Sequence, residues 1–149
     1  MDTPGPSDLH DAVRRRLAED DVRYTGGRKA IVAALGTAGG PQSAADLHRL
    51  VAGVPLSSLY RSLTVLDEAG VLKRNHDADG LARFELAEWL GGHHHHITCV
   101  ECGAVEDVRL EGEEERLLAA VIQAMGDRTG YIVRDHELEL EGACPSCRS

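Results

Sequence analysis

Two short motifs, Cys99-Val100-Glu101-Cys102 and Cys144-Pro145-Ser146-Cys147, use all 4 cysteines of the chain. A two-residue spacer lets two thiolates approach one ion at about 2.3 Å, and two such pairs complete a closed tetrahedral zinc site of four thiolates. Redox dithiols and structural disulfides are the competing chemistries for this pattern. In a chain expected to be cytoplasmic, structural Zn²⁺ is the favoured reading. It would also tie the C-terminal tail to the strand that precedes the first pair, coupling metal binding to folding.

His93-His94-His95-His96 stands immediately before the first cysteine pair. An expression tag is usually longer and terminal, so the run reads as part of the protein. On a strand, His94 and His96 project to one face while His93 and His95 project to the other. One run could thus feed two metal sites, or leave some of its histidines solvated or packed. Neutral imidazole suits Fe, Mn, Zn or Ni, so the run alone does not choose the ion. No metalloprotease, nucleophile-elbow or phosphate-loop motif is present. A catalytic metal would need an open coordination position and a poised base in a pocket, so the chain is expected not to be an enzyme and to have no catalytic residues or small organic substrate.

These groups must be positioned by elements that the apolar spacing reveals. Leu9, Val13 and Leu17 predict a first helix that exits near Asp20-Asp21. A second spans roughly Arg28–Thr37, capped near Thr25 and stopped at Gly39-Gly40-Pro41, with Ile31, Val32, Ala34 and Leu35 facing inward. Ser43 and Asp46 make an N-cap and acidic first turn for a short helix over Ala44–Val51, whose Leu47 and Leu50 face inward. After Gly53-Val54-Pro55, a fourth helix carries Leu56, Leu59, Leu63 and Leu66 on one face and Ser57, Ser58, Arg61 and Ser62 on another. Gly70 ends it. Val71–Arg74 and Leu81–Leu86 then read as a hairpin turning at Asp79-Gly80. Helices followed by a hairpin suggest a winged helix-turn-helix, with a plain helical bundle bearing a surface hairpin as the alternative. Gly91-Gly92 marks a hinge. Beyond it come strands at His96–Val100 and Ala104–Val108, a helix over about Glu113–Met125, and a strand over Tyr131–Leu140, so the second unit is α+β.

A length of 149 residues, 42% hydrophobic and 28% charged, allows one mid-sized domain or two small ones. With 1 Phe, 1 Trp and 3 Tyr, the core must rest on smaller aliphatic side chains, and a metal or partner subunit would strengthen it. The opening stretch Met1–Ser7 has no basic segment leading into an apolar one, and no apolar run approaches the roughly 20 residues of a bilayer span. No membrane association is expected. The net charge of −9 argues against nucleic acid until its distribution is seen. Residues 1–86 hold 11 Lys/Arg against 12 Asp/Glu, whereas residues 87–149 hold 5 against 13. Within Val22–Arg74 there are 7 basic residues to 3 acidic, an electropositive segment between acidic flanks.

The order of Leu59-Tyr60-Arg61-Ser62-Leu63, a wing ending Arg83-Phe84-Glu85-Leu86, the run HHHHITCVECG and a terminal CPSC resembles the ferric uptake regulator superfamily, over about Val22 to Cys147. The resemblance implies an α+β fold: a winged helix-turn-helix DNA-binding domain over residues 1–88, joined by a hinge to an α/β metal-binding dimerisation domain over residues 89–149 with the Cys99, Cys102, Cys144, Cys147 zinc site. It implies a homodimeric repressor that binds double-stranded operator DNA when a regulatory divalent metal occupies the hinge. Tyr60 and Arg61 fall on the family's recognition helix, and Arg28 where a basic residue meets the DNA backbone. Arg61 could read guanine bidentately and Tyr60 a thymine methyl, while Ser57 and Ser58 could bind phosphate. The hinge ligands correspond to Glu85, His94, His96 and Asp107. A further site in the dimerisation domain corresponds to His93, His95, His136 and Glu114, with Glu115 the neighbouring candidate.

Three departures from the family pattern bear on the sensed ion. Pro41-Gln42 stands where the iron branch has a helix histidine. Ala87 and Lys73 stand where the zinc branch has Cys and often Asp. Gly126–Thr129 lengthens the connection after the long helix. A set of Glu, Asp and two His favours Fe²⁺ or Mn²⁺, although Zn²⁺ accepts the same donors. Iron- or peroxide-type control of metal uptake or stress genes is the expectation, with zinc-uptake regulation as the alternative. Outside the family, a zinc-ribbon adaptor would explain the cysteines and the acidic C-terminal part but leave Tyr60, Arg61 and the histidines without work.

Overall fold

The computed structural model describes residues 5–148; residues 1–4 of the opening segment, and Ser149, lie outside the described residues. The chain divides into two compact units, one ending at His93 and the other beginning at His94.

In the first unit, α1 (Pro6–Glu19), α2 (Gly26–Thr37), α3 (Ala44–Leu50) and α4 (Leu56–Glu68) enclose one aliphatic core. Val13, Leu17, Ile31, Val32, Leu47, Leu59 and Leu66 are fully buried there. The helix starts follow from their caps. Thr25 Oγ1 accepts the Arg28 N–H at 3.4 Å. Ser43 Oγ accepts the Asp46 N–H at 3.1 Å, and the Asp46 carboxylate accepts the Ser43 N–H at 3.2 Å, completing both halves of a capping box.

β2 (Leu72–His76) and β3 (Ala82–Leu86) pair antiparallel, and β1 (Gln42–Ser43), which the sequence pattern did not reveal, adds to the other edge of β3. The sheet order is β1-β3-β2. Its hairpin turns through residues 77–81, a wider loop than a two-residue turn. The Asp77 carboxylate accepts the backbone N–H groups of Asp79 at 3.0 Å and Leu81 at 2.9 Å, and Gly80 takes φ +78°. Arg83 Nε donates to Asp77 at 3.1 Å, and Arg83 Nη1 lies 3.8 Å from Asp46. The short α5 (Glu88–Gly91) buries Leu90 in this core, and Trp89 Nε1 donates to the Gly70 carbonyl at 2.8 Å. These contacts carry the first unit past residue 88.

Three inward or outward assignments change. Leu50 and Leu56 are exposed, whereas Ser62 is buried. At about 100° per residue, Ser62 lies some 60° from Leu59 and 40° from Leu66, inside the buried face, while Leu56, in the first turn of α4, lies at the edge of that face, between the buried Leu63 and the exposed Tyr60. Leu50 ends α3, just before the chain turns away through Gly53 at φ +78°.

The second unit is a sheet of order β5-β4-β6, built from β4 (His95–Cys99), β5 (Val105–Val108) and β6 (Glu139–Gly142), with α6 (Gly112–Thr129) between β5 and β6. β4 pairs antiparallel with β5 and parallel with β6, and a parallel partner requires a crossover connection of the kind that contains α6. Residues 126–129, expected in a connection, are the last turn of the helix. Gly130 ends it at φ +78°, its N–H bonded to the Gly126 carbonyl at 2.8 Å. A Cβ on Gly126 would come within 2.9 Å of the Tyr131 carbonyl oxygen, so the reversal needs glycine there. The strand expected over Tyr131–Leu140 is confined to Glu139–Gly142, because the five residues of β4 offer pairing only over that length.

Little of this second unit is buried. Among the described residues only His95, Cys99 and Gly126 are enclosed. Leu117, Val121 and Met125 form an exposed stripe along α6, and Tyr131 and Ile132 are 77% and 87% exposed. No helix of the described residues is long and apolar enough to cross a membrane.

Candidate metal centres and nucleic-acid face

The two cysteine pairs meet where β4 and β6 end side by side. The first occupies the turn that leaves β4, where the Cys99 N–H reaches the Ala104 carbonyl at 2.8 Å and Gly103 takes φ +74°. The second follows β6, with the Cys147 N–H returning to the Cys144 carbonyl at 2.9 Å. Parallel pairing of β4 with β6 brings Cys99 opposite Gly142 and so delivers the tail to the first turn. All four sulfur atoms lie within 4.8 Å of one another, with Cys102 and Cys144 at 3.8 Å.

The electrostatics suit a divalent cation. The Cys144 backbone N–H, 3.3 Å from Cys99 Sγ, leads the interactions that hold the Cys99 thiol down to about 6. Hydrogen bonding with the Cys144 and Cys102 sulfurs pushes Cys147 up to about 12, since those bonds need its proton and so oppose a further thiolate. A cation at the centre removes that conflict and draws all four into the thiolate form. Four sulfurs, closely set and with no exchangeable ligand position, fit structural zinc.

A second group of donors lies on the sheet. In the β4–β5 ladder His96 is directly opposite Asp107. The rings of His94 and His96 are 5.2 Å apart, edge to face, and their Nε2 atoms lie 3.9 and 3.6 Å from the same Asp107 oxygen. Both side chains are largely shielded from water. His95, one residue out of phase, is buried with its ring 5.5 Å from that of His136. Strand alternation therefore separates the histidines as their spacing implied.

The other expected ligands are placed within their own units. Glu85 is buried on β3 and accepts the Asn75 side-chain N–H at 3.0 Å. His93 Nδ1 lies 3.2 Å from Glu88 Oε1, a pairing the sequence did not announce. Glu114 is occupied at the start of α6, where its carboxylate accepts the Glu111 N–H at 2.9 Å.

On α4, Ser57, Tyr60 and Arg61 are exposed and Ser58 is half-buried. Arg61 makes no ion pair among the described residues. Thr64 joins this face; its spacing of four from Tyr60 and seven from Ser57 was the available signal. Arg28 is half-buried and donates to the Arg23 carbonyl. On the wing, Arg83 is held by Asp77 and faces Asp46. Asp46 is itself kept below the usual carboxylate range, chiefly by the Ser43 hydroxyl.

A sequence model of the ferric uptake regulator family matches residues 19–141. The chain belongs to the ferric uptake regulator family. The ferric uptake regulation protein of Neisseria meningitidis is 32% identical over 90% of the chain and 92% of its own length. The peroxide operon regulator of Bacillus subtilis is 30% identical, with 88% of each covered. The ferric uptake regulator of Helicobacter pylori, whose structure reveals three functional metal binding sites, superposes with a TM-score of 0.74 over 99% of this chain and 97% of its own. At 19% identity that likeness concerns the fold alone. Members of the ferric uptake regulator family are metal-responsive transcriptional regulators rather than enzymes.

Proposed function

We propose that this member of the family is a cytoplasmic, homodimeric repressor, switched onto operator DNA by a divalent metal held by His94, His96, Asp107 and Glu85. The convergence of His94 and His96 on one Asp107 oxygen carries the reading. Two imidazoles and a carboxylate, well shielded where β4 pairs with β5, form a donor set prepared for a small divalent ion. Absence of a thiolate from it favours Fe²⁺ or Mn²⁺, and hence iron- or peroxide-type control, over a thiolate-preferring sensor. With Glu85 contributed from residues 1–88 and the remaining ligands from residues 89–149, a bound ion restrains the hinge. That ordering spares part of the entropy cost of docking two recognition helices on successive half-sites.

Residues 1–88 supply the DNA contacts in this scheme. Arg61 reads a guanine, Tyr60 a thymine methyl, and Ser57, Ser58 and Arg28 meet the phosphates. Residues 89–149 supply the dimer. The exposed stripe Leu117, Val121 and Met125, with Tyr131 and Ile132 beyond it, is more apolar surface than so small a unit leaves in water by itself. A second copy covers it, and zinc on the four cysteines fixes the tail. His93, His95 and His136, with Glu114 or its neighbour Glu115, form the additional metal site.

The test is operator binding by protein stripped of labile metal, titrated with Fe²⁺, Mn²⁺, Zn²⁺ and Ni²⁺ while retained zinc is quantified. One ion should switch on tight binding with about one zinc retained per chain. Binding that no ion changes would refute the switch, and activation by Zn²⁺ alone would make the protein a zinc-uptake regulator.

A further inference from the structure

α4 presents a divided outer face. Leu56 is 47% exposed and Tyr60 is 55% exposed, whereas Leu59, Leu63 and Leu66 of the same helix are sealed from water. At about 100° per residue, Leu56 and Tyr60 fall within 40° of each other along one edge of the exposed face; Ser57 and Arg61 share the other edge, with Thr64 between them. The face thus has an apolar edge and a polar edge.

A lone exposed leucine carries no message. This one occupies the first turn of α4, and that turn has a second property. Pro55 is its N-cap and no side chain caps the helix, so its first backbone N–H groups are left for another acceptor. Uncapped N–H groups suit a phosphate, and recognition helices address base edges through their N-terminal residues. Leu56 therefore stands at the end of α4 that enters the groove.

We infer that Leu56 is a specificity residue that packs on the 5-methyl group of a thymine, beside a second thymine contacted by Tyr60. The inference rests on the DNA-binding reading above. Thymine's methyl is the one apolar feature of the major-groove code, and aliphatic side chains recognise it by contact. Four residues of helix rise about 6 Å, and bases on one strand are about 3.4 Å apart, so the two thymines lie one or two steps apart. The polar edge then addresses the flanking guanine and phosphates.

The experiment begins with the metal-loaded, full-length protein selecting its operator from randomised duplexes. Each thymine of the selected half-site is then replaced singly by deoxyuridine, which deletes only the methyl. Wild type should weaken about fourfold per half-site at one thymine, the worth of one buried methyl. Leu56→Ala should bind thymine and uracil equally there, while keeping the loss at the Tyr60 thymine. Leu56→Met should retain the discrimination. Unchanged zinc content and Trp89 fluorescence check that each variant is folded. A thymine-to-uracil profile identical in wild type and Leu56→Ala would overturn the assignment to Leu56. Failure of the wild type to select any operator would instead overturn the DNA-binding reading, and this inference with it.

Discussion

His96 and Asp107 are direct partners in the β4–β5 ladder, with Nε2 and Oδ1 3.6 Å apart. Strand register, rather than a flexible loop, fixes this pair. A site so built is precise before an ion arrives, and His94 joins it simply by lying two residues earlier. His96→Ala should therefore abolish metal-dependent operator binding while leaving about one zinc per chain. Fluorescence anisotropy with labelled operator, run beside metal analysis, reads both; a variant that still responds to metal would remove His96 from the switch.

Loss of a cysteine should act on folding rather than sensing. Structural zinc contributes apparent binding energies of about 10–16 kcal/mol, which a unit with so few buried side chains cannot replace. Cys102→Ser should release zinc, unfold residues 94–149 and yield monomers in sedimentation velocity. A zinc-free dimer of normal stability would contradict this.

Arg61→Ala should weaken specific operator binding by roughly 1–3 kcal/mol and relax preference at one guanine, because a bidentate contact is lost from an exposed helix face. Metal content and dimerisation should stay at wild-type levels. Equal losses on specific and random DNA would place Arg61 on phosphate instead.

The capping box of α3 gives a pH-dependent prediction. Ser43→Ala should destabilise the first unit by about 1 kcal/mol at neutral pH. Asp46 is held below its usual range chiefly by Ser43, so its ionised form stabilises the fold fully above the ordinary carboxylate pKa near 4. That contribution is lost as pH falls through the lowered value, so the deficit of the variant should shrink below about pH 4. Trp89 is the one tryptophan and lies in the first unit, so urea titrations followed by its fluorescence report this unit. Parallel pH profiles for the two proteins would show that Ser43 is not the source.

Legibility varied with how local the cause was. Helix α3 could be read because Ser43 and Asp46 are three residues apart and satisfy each other's backbone. Alternation alone separated His94 and His96 from His95. By contrast, Tyr131–Leu138 carries strand-like residues without a strand, because β4 is too short to pair with them. Leu56 fitted an inward leucine repeat, yet it is the first residue of α4, at the edge of the buried face, and stays exposed. Glu114 matched by counting, whereas the capping bond that its carboxylate accepts from the Glu111 N–H emerged only in the structure.

The sequence by itself determined the chemistry of the zinc site, the family, and the order of the helices and the wing, since these follow from residue types at fixed short spacings. Tertiary structure alone decided that Cys144 reaches Cys99, that Asp107 stands across from His96, and that Leu56 faces water. Each depends on register and packing between segments distant in the chain, where one residue of slip exchanges inside for outside.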